Sequence, residues 1–442
     1  MPGISVEKIE QVPDETWRVQ ASRELADVAR DISEQKETAI IPEKSQQLMR
    51  FFEANEPQVL RQAVSGAFYS NQPLPLDEQT ALNLYGGKLR ASISRYEKYY
   101  ECPFKHFMRY GLEIQERPEY EVKAADIGNI YHGSLEMYAR KLKERGLTFR
   151  TVSDEESREI TKECVRDTAS EMNNEAATES ERNKFMMERI TEVACKTTDV
   201  LRDHVKKGQF EPELFEMAFE IDASDSTVFK GKIDRVDIYD GADVFVKIID
   251  YKSGQKKFEI KDMYMGIQLQ LAAYMGAAIE EVKKKYPDRK VLPGGVYYYL
   301  IQDSFVKPGD ESNKFRMSGL TNCDFGVADA IDSGAKLAGK SNIIHVGYKK
   351  DGDFDSHSVI ANSEEFAHMI AFANNKISEV SSRLKEGDVR IAPYVSGNSN
   401  GCMYCEYKDV CKFEPCKWGS DYNDSAEGVD SKDMEREIYG RI

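Results

Sequence analysis

The pattern of apolar and polar residues predicts a β-rich centre with helices on both sides. Between Leu214 and Leu300, short apolar runs alternate with polar positions, and Asp240-Gly241 marks a turn, which predicts three consecutive antiparallel strands. A helical pattern from about Asp262 to Lys285 follows, and then an apolar strand from Gly294. This order of strands, helix and strand predicts an α/β fold.

The remaining segments are predicted to be mainly helical. Residues 1–86 form a helical lead-in, with helices at 23–33, 45–53 and 58–66, and residues 154–207 form one or two long solvated helices. We also expect an insertion over 303–341, a strand pair near Ile343–Ile360, a helix over Ser363–Lys385 and an acidic tail after Ser420.

Composition narrows the class of protein. The chain has 442 residues, with 61 Lys and Arg against 77 Asp and Glu, which gives a net charge of −16. The longest nearly apolar stretch, Leu269–Ile279, is far shorter than the roughly 20 residues of a bilayer span. The N-terminus resembles no secretory signal, so we expect a cytoplasmic protein without a membrane partner. The acidic balance argues weakly against nucleic acid, but a substrate responds to the local field of its groove.

One segment departs from this acidic average. Between Lys88 and Arg117, seven Lys and Arg residues face four acids and alternate with six Tyr and Phe residues. Such a segment can lie along a phosphate backbone while its rings stack on bases. It can equally be an amphipathic helix whose rings belong to the core.

Two carboxylates and a lysine form the most informative pattern. Asp234 ends Gly231-Lys232-Ile233-Asp234, and Asp250 and Lys252 lie in Asp250-Tyr251-Lys252-Ser253-Gly254. Neighbouring antiparallel strands can bring these side chains to one side of a sheet. Two carboxylates can hold Mg²⁺ against a phosphate, and a lysine can steady the charge that develops there. The alternative is a surface ladder of ion pairs.

Together with Gly128-Asn129-Ile130-Tyr131-His132 and the segment Gln268–Tyr274, these motifs resemble the RecB-type branch of the PD-(D/E)xK nucleases. The resemblance implies a restriction-endonuclease-like core and a divalent metal, Mg²⁺ with Mn²⁺ as an alternative. It implies that His132, Asp234, Asp250 and the carbonyl of Tyr251 bind the metal and that Lys252 is catalytic. Gln268 and Tyr274 would support the lysine and touch DNA. Glu220 is a loose match to an acidic residue of some members.

Cysteines form a second group. Cys402, Cys405 and Cys411 have the spacing C-x2-C-x5-C, and Cys102 offers a fourth thiol from the other end of the motif region. In a reducing compartment such clusters favour metal over disulfides. Four thiolates can bind zinc or an iron–sulfur cluster, and spacing alone does not decide between them.

The segments SISRYEKYYECPFKHFMRYGL and GCMYCEYKDVCKF resemble the B subunits of AddAB-type (RexAB) helicase–nucleases. This resemblance runs from about Leu89 to Phe413 and implies a [4Fe-4S] cluster on Cys102, Cys402, Cys405 and Cys411 that staples the nuclease domain. Cys416 is an extra thiol outside the family spacing. The chain is too short for the helicase-like region of such subunits, so we expect their C-terminal nuclease part, as a fragment, a separate piece or a stand-alone relative.

One further motif points elsewhere. Gly334 to Ser341 satisfies the phosphate-loop pattern G-x-x-x-x-G-K-[ST]. A phosphate loop joins a buried strand to a helix, whereas this segment follows a helical pattern and precedes the β-like Asn342-Ile343-Ile344. We therefore expect no nucleotide binding here.

The resemblance implies a metal-dependent DNA exonuclease that acts on single strands in double-strand break end processing and recombinational repair. An AddA-like helicase–nuclease subunit would be its partner. The predicted domains are a helical lead-in at 1–86, a RecB-type nuclease domain with its cysteine staple at 87–420, and an acidic tail at 421–442. The alternatives are a DNA-end-binding module that keeps the cluster but does not cut, and a zinc-stabilised scaffold.

Overall fold

A computed structural model describes most of the chain. The described residues are 23–27, 29–30, 43–115, 124–171, 181–224, 227–254, 256–301, 315–397, 399–415, 422–423, 426 and 429–441. Arg117, Cys416, residues 28 and 31–33 of the helix predicted at 23–33, and the first part of the predicted insertion therefore lie outside the described residues. The described residues of that helix, 23–27 and 29–30, are helical.

The chain divides into two compact units. The cysteine unit consists of Met1–Leu84, Lys98–Gln115 and Leu384–Ser425, and the sheet unit consists of Tyr85–Glu97, Glu116–Arg383 and Ala426–Ile442. Each unit is thus built from segments that are distant in sequence. The domain boundaries expected at residues 86 and 420 stay predictions.

Short helices make up most of the described cysteine unit. The predicted lead-in helices are present as α1 (Glu43–Asn55) and α2 (Pro57–Ala67), and α3 follows at Glu78–Tyr85. Phe52 and Leu25 are buried against apolar residues of α1 and α2. Beside Cys102, α4 (Ile93–Glu101) ends and α5 (Pro103–His106) begins, and a single π-helical turn follows at Phe107–Gly111.

A seven-stranded sheet forms the described centre of the sheet unit. Its strand order is β1-β3-β4-β5-β6-β7, and β2 pairs with β3 outside this path. The strands are β1 (Leu89–Ser92), β2 (Glu211–Ser224), β3 (Thr227–Asp240), β4 (Val244–Lys252), β5 (Val291–Leu300), β6 (Ser318–Asn322) and β7 (Ile360–Ala361).

The predicted central strands are confirmed. β2, β3 and β4 pair antiparallel in succession, and β5 returns parallel to β4 after α10 (Gln270–Lys285). The predicted single helix from Asp262 is instead divided into α9 (Ile260–Tyr264) and α10. Gly266, at a φ of +83°, separates them, because left-handed backbone cannot continue an α-helix.

Two predictions in the C-terminal half are wrong in part. The segment taken as an insertion contains β6, which pairs with β5 because Gly319 allows very close approach to the backbone of Val296. The strand pair predicted near Ile343–Ile360 is reduced to isolated bridges, such as Tyr348 with Phe354, and to β7.

The long helices predicted between residues 154 and 207 are confirmed as α7 (Asp154–Glu171) and α8 (Glu181–Lys207). They are not solvated throughout, because one face packs with α6 (Ala124–Glu144) over the sheet. Ile249 and Tyr251 of β4 belong to that core. The alternation of a strand therefore turns Asp250 and Lys252 to the other face, where α10 packs on β4 and β5.

Further elements complete the sheet unit. They are α11 (Phe325–Ile331), α12 (Ala335–Ala338), α13 (Ser363–Lys385) and α15 (Ser431–Tyr439). The remaining elements of the cysteine unit are β8 (Val395–Ser396), β9 (Ser399–Asn400) and α14 (Lys408–Cys411). The region expected as an acidic tail thus carries α15, with Met434, Ile438 and Tyr439 buried. The phosphate-loop-like segment holds the four-residue α12 after α11, rather than a loop after a strand. None of the described helices is long and apolar enough to cross a bilayer.

Candidate active site

Asp234 lies where β3 changes partners. Residues Thr227–Lys230 of β3 pair with β1 and residues Arg235–Asp240 pair with β4, so Asp234 occupies the interval between the two described ladders. Its Oδ2 accepts a hydrogen bond from the backbone N–H of Tyr251 at 2.6 Å. This bond ties the carboxylate to the end of β4, close to Asp250 and Lys252.

His132 reaches Asp234 from α6. Its Nδ1 lies 3.2 Å from Asp234 Oδ1. Gly128, one turn earlier, lets α6 approach the loop after β4, because a Cβ there would lie 3.0 Å from Ser253 Oγ. Burial alone would lower the pKa of His132, but the hydrogen bond and charge of Asp234, with the charge of Asp250, outweigh burial and raise it.

Glu216 is one of the residues at this site that sequence reasoning missed. One ligand atom each from His132, Glu216 and Asp234 lies within 4.8 Å of the others. Burial raises the pKa of Glu216, and the negative charge of Asp234 adds to the effect. Its φ of +45° is unusual for a residue with a side chain, so the strand holds this glutamate in a strained conformation at the site.

Glu220, the loose match from sequence, lies elsewhere. Its carboxylate pairs with Arg90 at 2.8 Å on the surface. The register of the β2–β3 hairpin could have found the right residue: Phe215 pairs with Arg235 and Met217 with Ile233, so Glu216 faces Asp234. The acidic residue that β2 contributes to the site is therefore Glu216, four positions earlier than expected.

Asp250 and Lys252 form the second half of the site. Asp250 is almost fully buried, and its carboxylate pairs with the Lys252 ammonium. Burial raises the pKa of Asp250 to about 6, and the charge of Asp234 adds to this while Lys252 opposes it. Among the described residues, Asp250 stands beside the three-residue cluster of His132, Glu216 and Asp234 rather than within it.

The role predicted for Gln268 needs correction. Its amide bonds the backbone, donating to Lys257 O at 2.7 Å and accepting from Glu259 N at 2.9 Å. Lys252 Nζ instead donates to Gln270 Oε1 at 3.1 Å. The physical reason is that Gln268 precedes α10 whereas Gln270 is its first residue and lies one helical turn before Tyr274.

Tyr274 completes this hydrogen-bond chain. Its hydroxyl accepts from Gln270 Nε2 at 2.9 Å. The ring lies against β3, because a Cβ on Gly231 would come within 3.2 Å of it. Glycine at position 231 thus allows the close approach of α10 that carries Gln270 to Lys252. Tyr274 is buried. Its support of the lysine and its contact with DNA both stay predictions.

These residues fit a hard divalent cation. Carboxylate oxygens of Asp234 and Glu216 and a nitrogen of His132 converge, with the Asp250 carboxylate beside them, and oxygen-rich sites of this kind suit Mg²⁺ or Mn²⁺. Burial, with the charge of Asp234, raises the pKa values of Glu216 and Asp250, and a bound cation would favour the charged forms of these acids. The backbone N–H of Tyr251 bonds Asp234, and ligation of a metal by the Tyr251 carbonyl stays a prediction.

The four predicted cysteines come together in the cysteine unit. Burial raises the pKa of the Cys402 thiol to about 11, and the nearby thiols of Cys102, Cys405 and Cys411 contribute. The Cys102 sulfur is buried and accepts hydrogen bonds from backbone N–H groups of Phe104, Lys105 and Ala392. Neighbouring thiolates repel one another, which raises their pKa values. A bound metal cation would offset this repulsion and favour the thiolate forms, so the four sulfurs fit a metal centre.

The basic and aromatic segment is largely structural where it is described. Tyr96, Tyr99 and Tyr100 are buried, so their rings do not stack on bases. Several of the basic residues form ion pairs, including Lys88 with Asp222 and Arg90 with Glu220. The core alternative is therefore correct for these residues.

The chain is similar to known nucleases over most of its length. Residues 90–412 match the family model of the PD-(D/E)XK nuclease superfamily. The chain is 34% identical over 371 residues to the B subunit of the ATP-dependent helicase/deoxyribonuclease of Lachnoclostridium phytofermentans, covering 81% of this chain and 32% of that protein.

Similar proteins of the same name occur in other bacteria. Identity is 32% over 373 residues in Anoxybacillus flavithermus and 30% over 372 residues in Alkaliphilus oremlandii, each match covering 79% of this chain and 32% of the relative. The chain thus spans about a third of the length of these curated relatives. Because the family model covers most of the chain and the carboxylates, histidine and lysine that the sequence predicts for such a site meet on the sheet, the chain belongs to the PD-(D/E)XK nuclease superfamily.

Proposed function

We propose that this chain is a metal-dependent deoxyribonuclease. The observation that carries the proposal is the convergence of His132, Glu216 and Asp234 beside the ion pair of Asp250 and Lys252. A structural ladder of surface ion pairs would leave these groups in solvent, whereas Asp234 and Asp250 are buried. Burying two acids beside one another costs free energy unless a cation compensates their charge. Such pairs are therefore typical of functional sites.

Each residue has a distinct role in the proposed reaction. His132, Glu216, Asp234 and Asp250, with the Tyr251 carbonyl, would hold Mg²⁺ or Mn²⁺. When bound, the metal polarises the phosphodiester and lowers the pKa of a water. Lys252 places a positive charge next to Asp250, where it steadies charge that develops on the phosphate. Gln270 and Tyr274 fix the position of that charge.

The proposed setting comes from the relatives. They are named as the B subunit of an ATP-dependent helicase/deoxyribonuclease. We infer that this chain is the nuclease part of an AddAB-like complex with an AddA-like helicase–nuclease partner. Its substrate would be single-stranded DNA, cut as an exonuclease in double-strand break end processing and recombinational repair.

The cysteines support a second cofactor. Cys102, Cys402, Cys405 and Cys411 would bind a [4Fe-4S] cluster, because four thiols with backbone N–H donors around Cys102 suit such a cluster. Cys102 lies before the bulk of the sheet unit in sequence and the other three lie after it. The cluster would therefore close the cysteine unit on itself and confine the chain between.

A cleavage assay tests the nuclease proposal. Single-stranded and duplex DNA, end-labelled and circular, are incubated with the protein in Mg²⁺, in Mn²⁺ and in chelator. We expect cleavage of linear single strands only with metal, and loss of at least about 100-fold in rate for Asp250→Asn and Lys252→Ala. Glu220→Gln, a surface control, should cut like the wild type.

The same substrates distinguish a nuclease from a DNA-end-binding module. A DNA-end-binding module that does not cut would retain labelled DNA in a filter assay but yield no product in any metal. Cleavage at the wild-type rate by Asp250→Asn would show that another site is responsible and would overturn the catalytic assignment.

A further inference from the structure

A buried glutamate outside the predicted motifs holds the N-terminus of α10. Glu97 Oε1 accepts hydrogen bonds from the backbone N–H groups of Leu269 at 2.7 Å and Gln270 at 3.0 Å. The side chain comes from α4 and is only 7% exposed. It therefore reaches from one helix to cap another.

This cap is needed because α10 does not cap itself. The first N–H groups of a helix have no partner within the helix, and the N-cap residue Leu269 offers no side-chain acceptor. A carboxylate is the strongest acceptor for such groups, since its charge also suits the positive end of the helix dipole. Glu97 supplies this carboxylate from a distant part of the sequence.

Gln270 connects the cap to the lysine. The same residue whose N–H binds Glu97 accepts a hydrogen bond from Lys252 Nζ at 3.1 Å and donates to Tyr274 at 2.9 Å. A shift of the first turn of α10 would therefore move the acceptor that orients Lys252.

Two positively charged lysine side chains lie near the carboxylate of Glu97. The ammonium groups of Lys252 and Lys256 lie 5.6 and 5.1 Å from the centre of the Tyr298 ring. Both positive charges act on Glu97 and oppose the effect of burial, which raises its pKa. The two ammonium groups thus offset part of the cost of burying this carboxylate.

We propose that Glu97 is a positioning residue of the nuclease site, which fixes the orientation of Lys252 by holding Leu269 and Gln270 at the start of α10. The inference rests on the proposed nuclease function. The hydrogen bonds of Glu97 described above go to the start of α10 rather than to the proposed metal ligands His132, Glu216 and Asp234. Glu97 therefore acts through Gln270.

Two substitutions separate the hydrogen bonds from the charge. Glu97→Gln keeps an Oε1 acceptor at the same reach but removes the charge, whereas Glu97→Asp keeps the charge and shortens the reach by one methylene. We expect Glu97→Gln to cut DNA within about threefold of the wild-type rate and Glu97→Asp to lower kcat about tenfold at saturating metal. Glu280→Asp, an exposed change on α10, is the control.

A double variant tests the route through Gln270. If Glu97 acts by positioning Gln270, Glu97→Asp should add no further loss of kcat to Gln270→Ala. Multiplicative losses would overturn the proposal, as would a Glu97→Gln variant that is as slow as Glu97→Asp. If Glu97→Asp does not melt cooperatively, Glu97→Gln decides: a rate near that of the wild type supports positioning by hydrogen bonds, and a large loss contradicts it.

A chemical readout is independent of cleavage. Reductive methylation of lysines, followed by mass spectrometry, measures how fast Lys252 is labelled relative to the exposed Lys283. We expect faster labelling of Lys252 in both Glu97→Asp and Gln270→Ala than in the wild type, and equal labelling would contradict the proposal. A wild-type protein that cuts no DNA would overturn the nuclease function while leaving this measurement valid.

Discussion

Lys252 is held at its tip by Gln270, whose Oε1 accepts a hydrogen bond from Nζ at 3.1 Å. The ammonium also pairs with Asp250, so two groups on different elements fix it. One is a strand residue two positions away, and the other is the first residue of α10, the second helix after the strand. The position of the charge thus depends on how α10 packs on β4.

This arrangement predicts different effects for two glutamines that are two residues apart. Gln270→Ala should lower kcat about 10- to 100-fold, since a partner that orients a catalytic group is lost. Gln268→Ala removes bonds to the backbone of Lys257 and Glu259 and should mainly lower the melting temperature. Single-turnover cleavage and thermal melts of both variants check this, and equal kcat losses would contradict it.

Glu216 and Glu220, two glutamates of β2, offer a matched comparison. Glu216→Gln should weaken divalent metal binding about tenfold or more, because it removes a charged ligand from the cluster with His132 and Asp234. Glu220→Gln, on the same strand, removes only a surface partner of Arg90. Calorimetric titration with Mn²⁺ measures both affinities. A Glu216→Gln variant with wild-type affinity would exclude Glu216 as a ligand.

The sequence predicted the strands of the site better than its contacts. The β-rich runs and the Asp240-Gly241 turn are local signals, and they located β2, β3 and β4 correctly. Glu216 carries no local signal, because its role arises only when the hairpin register sets it opposite Asp234. Motif spacing suggested Glu220, which lies farther along the same ladder, opposite Lys230.

Long-range packing accounts for the other differences. Tyr96 and Tyr99 alternate with basic residues in sequence, yet they are buried, because their rings pack into the core and hydrogen-bond distant groups such as Val228 O and Asp388. Glu97 belongs to the same run and has no motif that marks it. Its function depends on α10, which lies more than 170 residues later in the sequence.

His204, a histidine of α8 whose Nδ1 atom is buried, predicts how stability depends on pH. Burial lowers the pKa of His204 to about 3, and the positive charges of Lys247 and Arg235 contribute. The unfolded chain has the ordinary value of about 6.5, so the folded state disfavours the protonated form. The stability from this group is complete above pH 6.5 and is lost as the pH falls from about 6.5 towards 3.

The measurement compares wild type with His204→Phe in urea unfolding without added metal. Between pH 7 and pH 5 the wild type should lose about 2 kcal/mol more than the variant in free energy of unfolding. His357→Phe, at an exposed histidine, should keep the wild-type slope. Parallel curves for wild type and His204→Phe would show that His204 does not titrate in this way.

Removing one of the four clustered cysteines should destabilise the chain more than the loss of a single buried thiol would. Cys102 and Cys402 are 300 positions apart, and a cross-link that closes a loop of this length stabilises the folded state by roughly 6 kcal/mol in a chain-entropy estimate. Anaerobically purified protein should be brown and contain iron and sulfide. Cys102→Ser should lose the iron and lower the melting temperature of the whole chain.

Control substitutions distinguish this staple from an ordinary buried thiol. Cys323→Ser changes a half-buried cysteine of the sheet unit and should retain iron and melt close to the wild type, and Cys416→Ser should do the same because it lies outside the family spacing. Metal analysis and anaerobic melts of the three variants are compared. Colourless protein with one zinc and no iron would replace the cluster by a zinc site, and full iron content in Cys102→Ser would remove Cys102 from the ligand set. Because the other three thiols are close together in sequence, a site without Cys102 would close only a short loop, and its loss should then destabilise the chain far less.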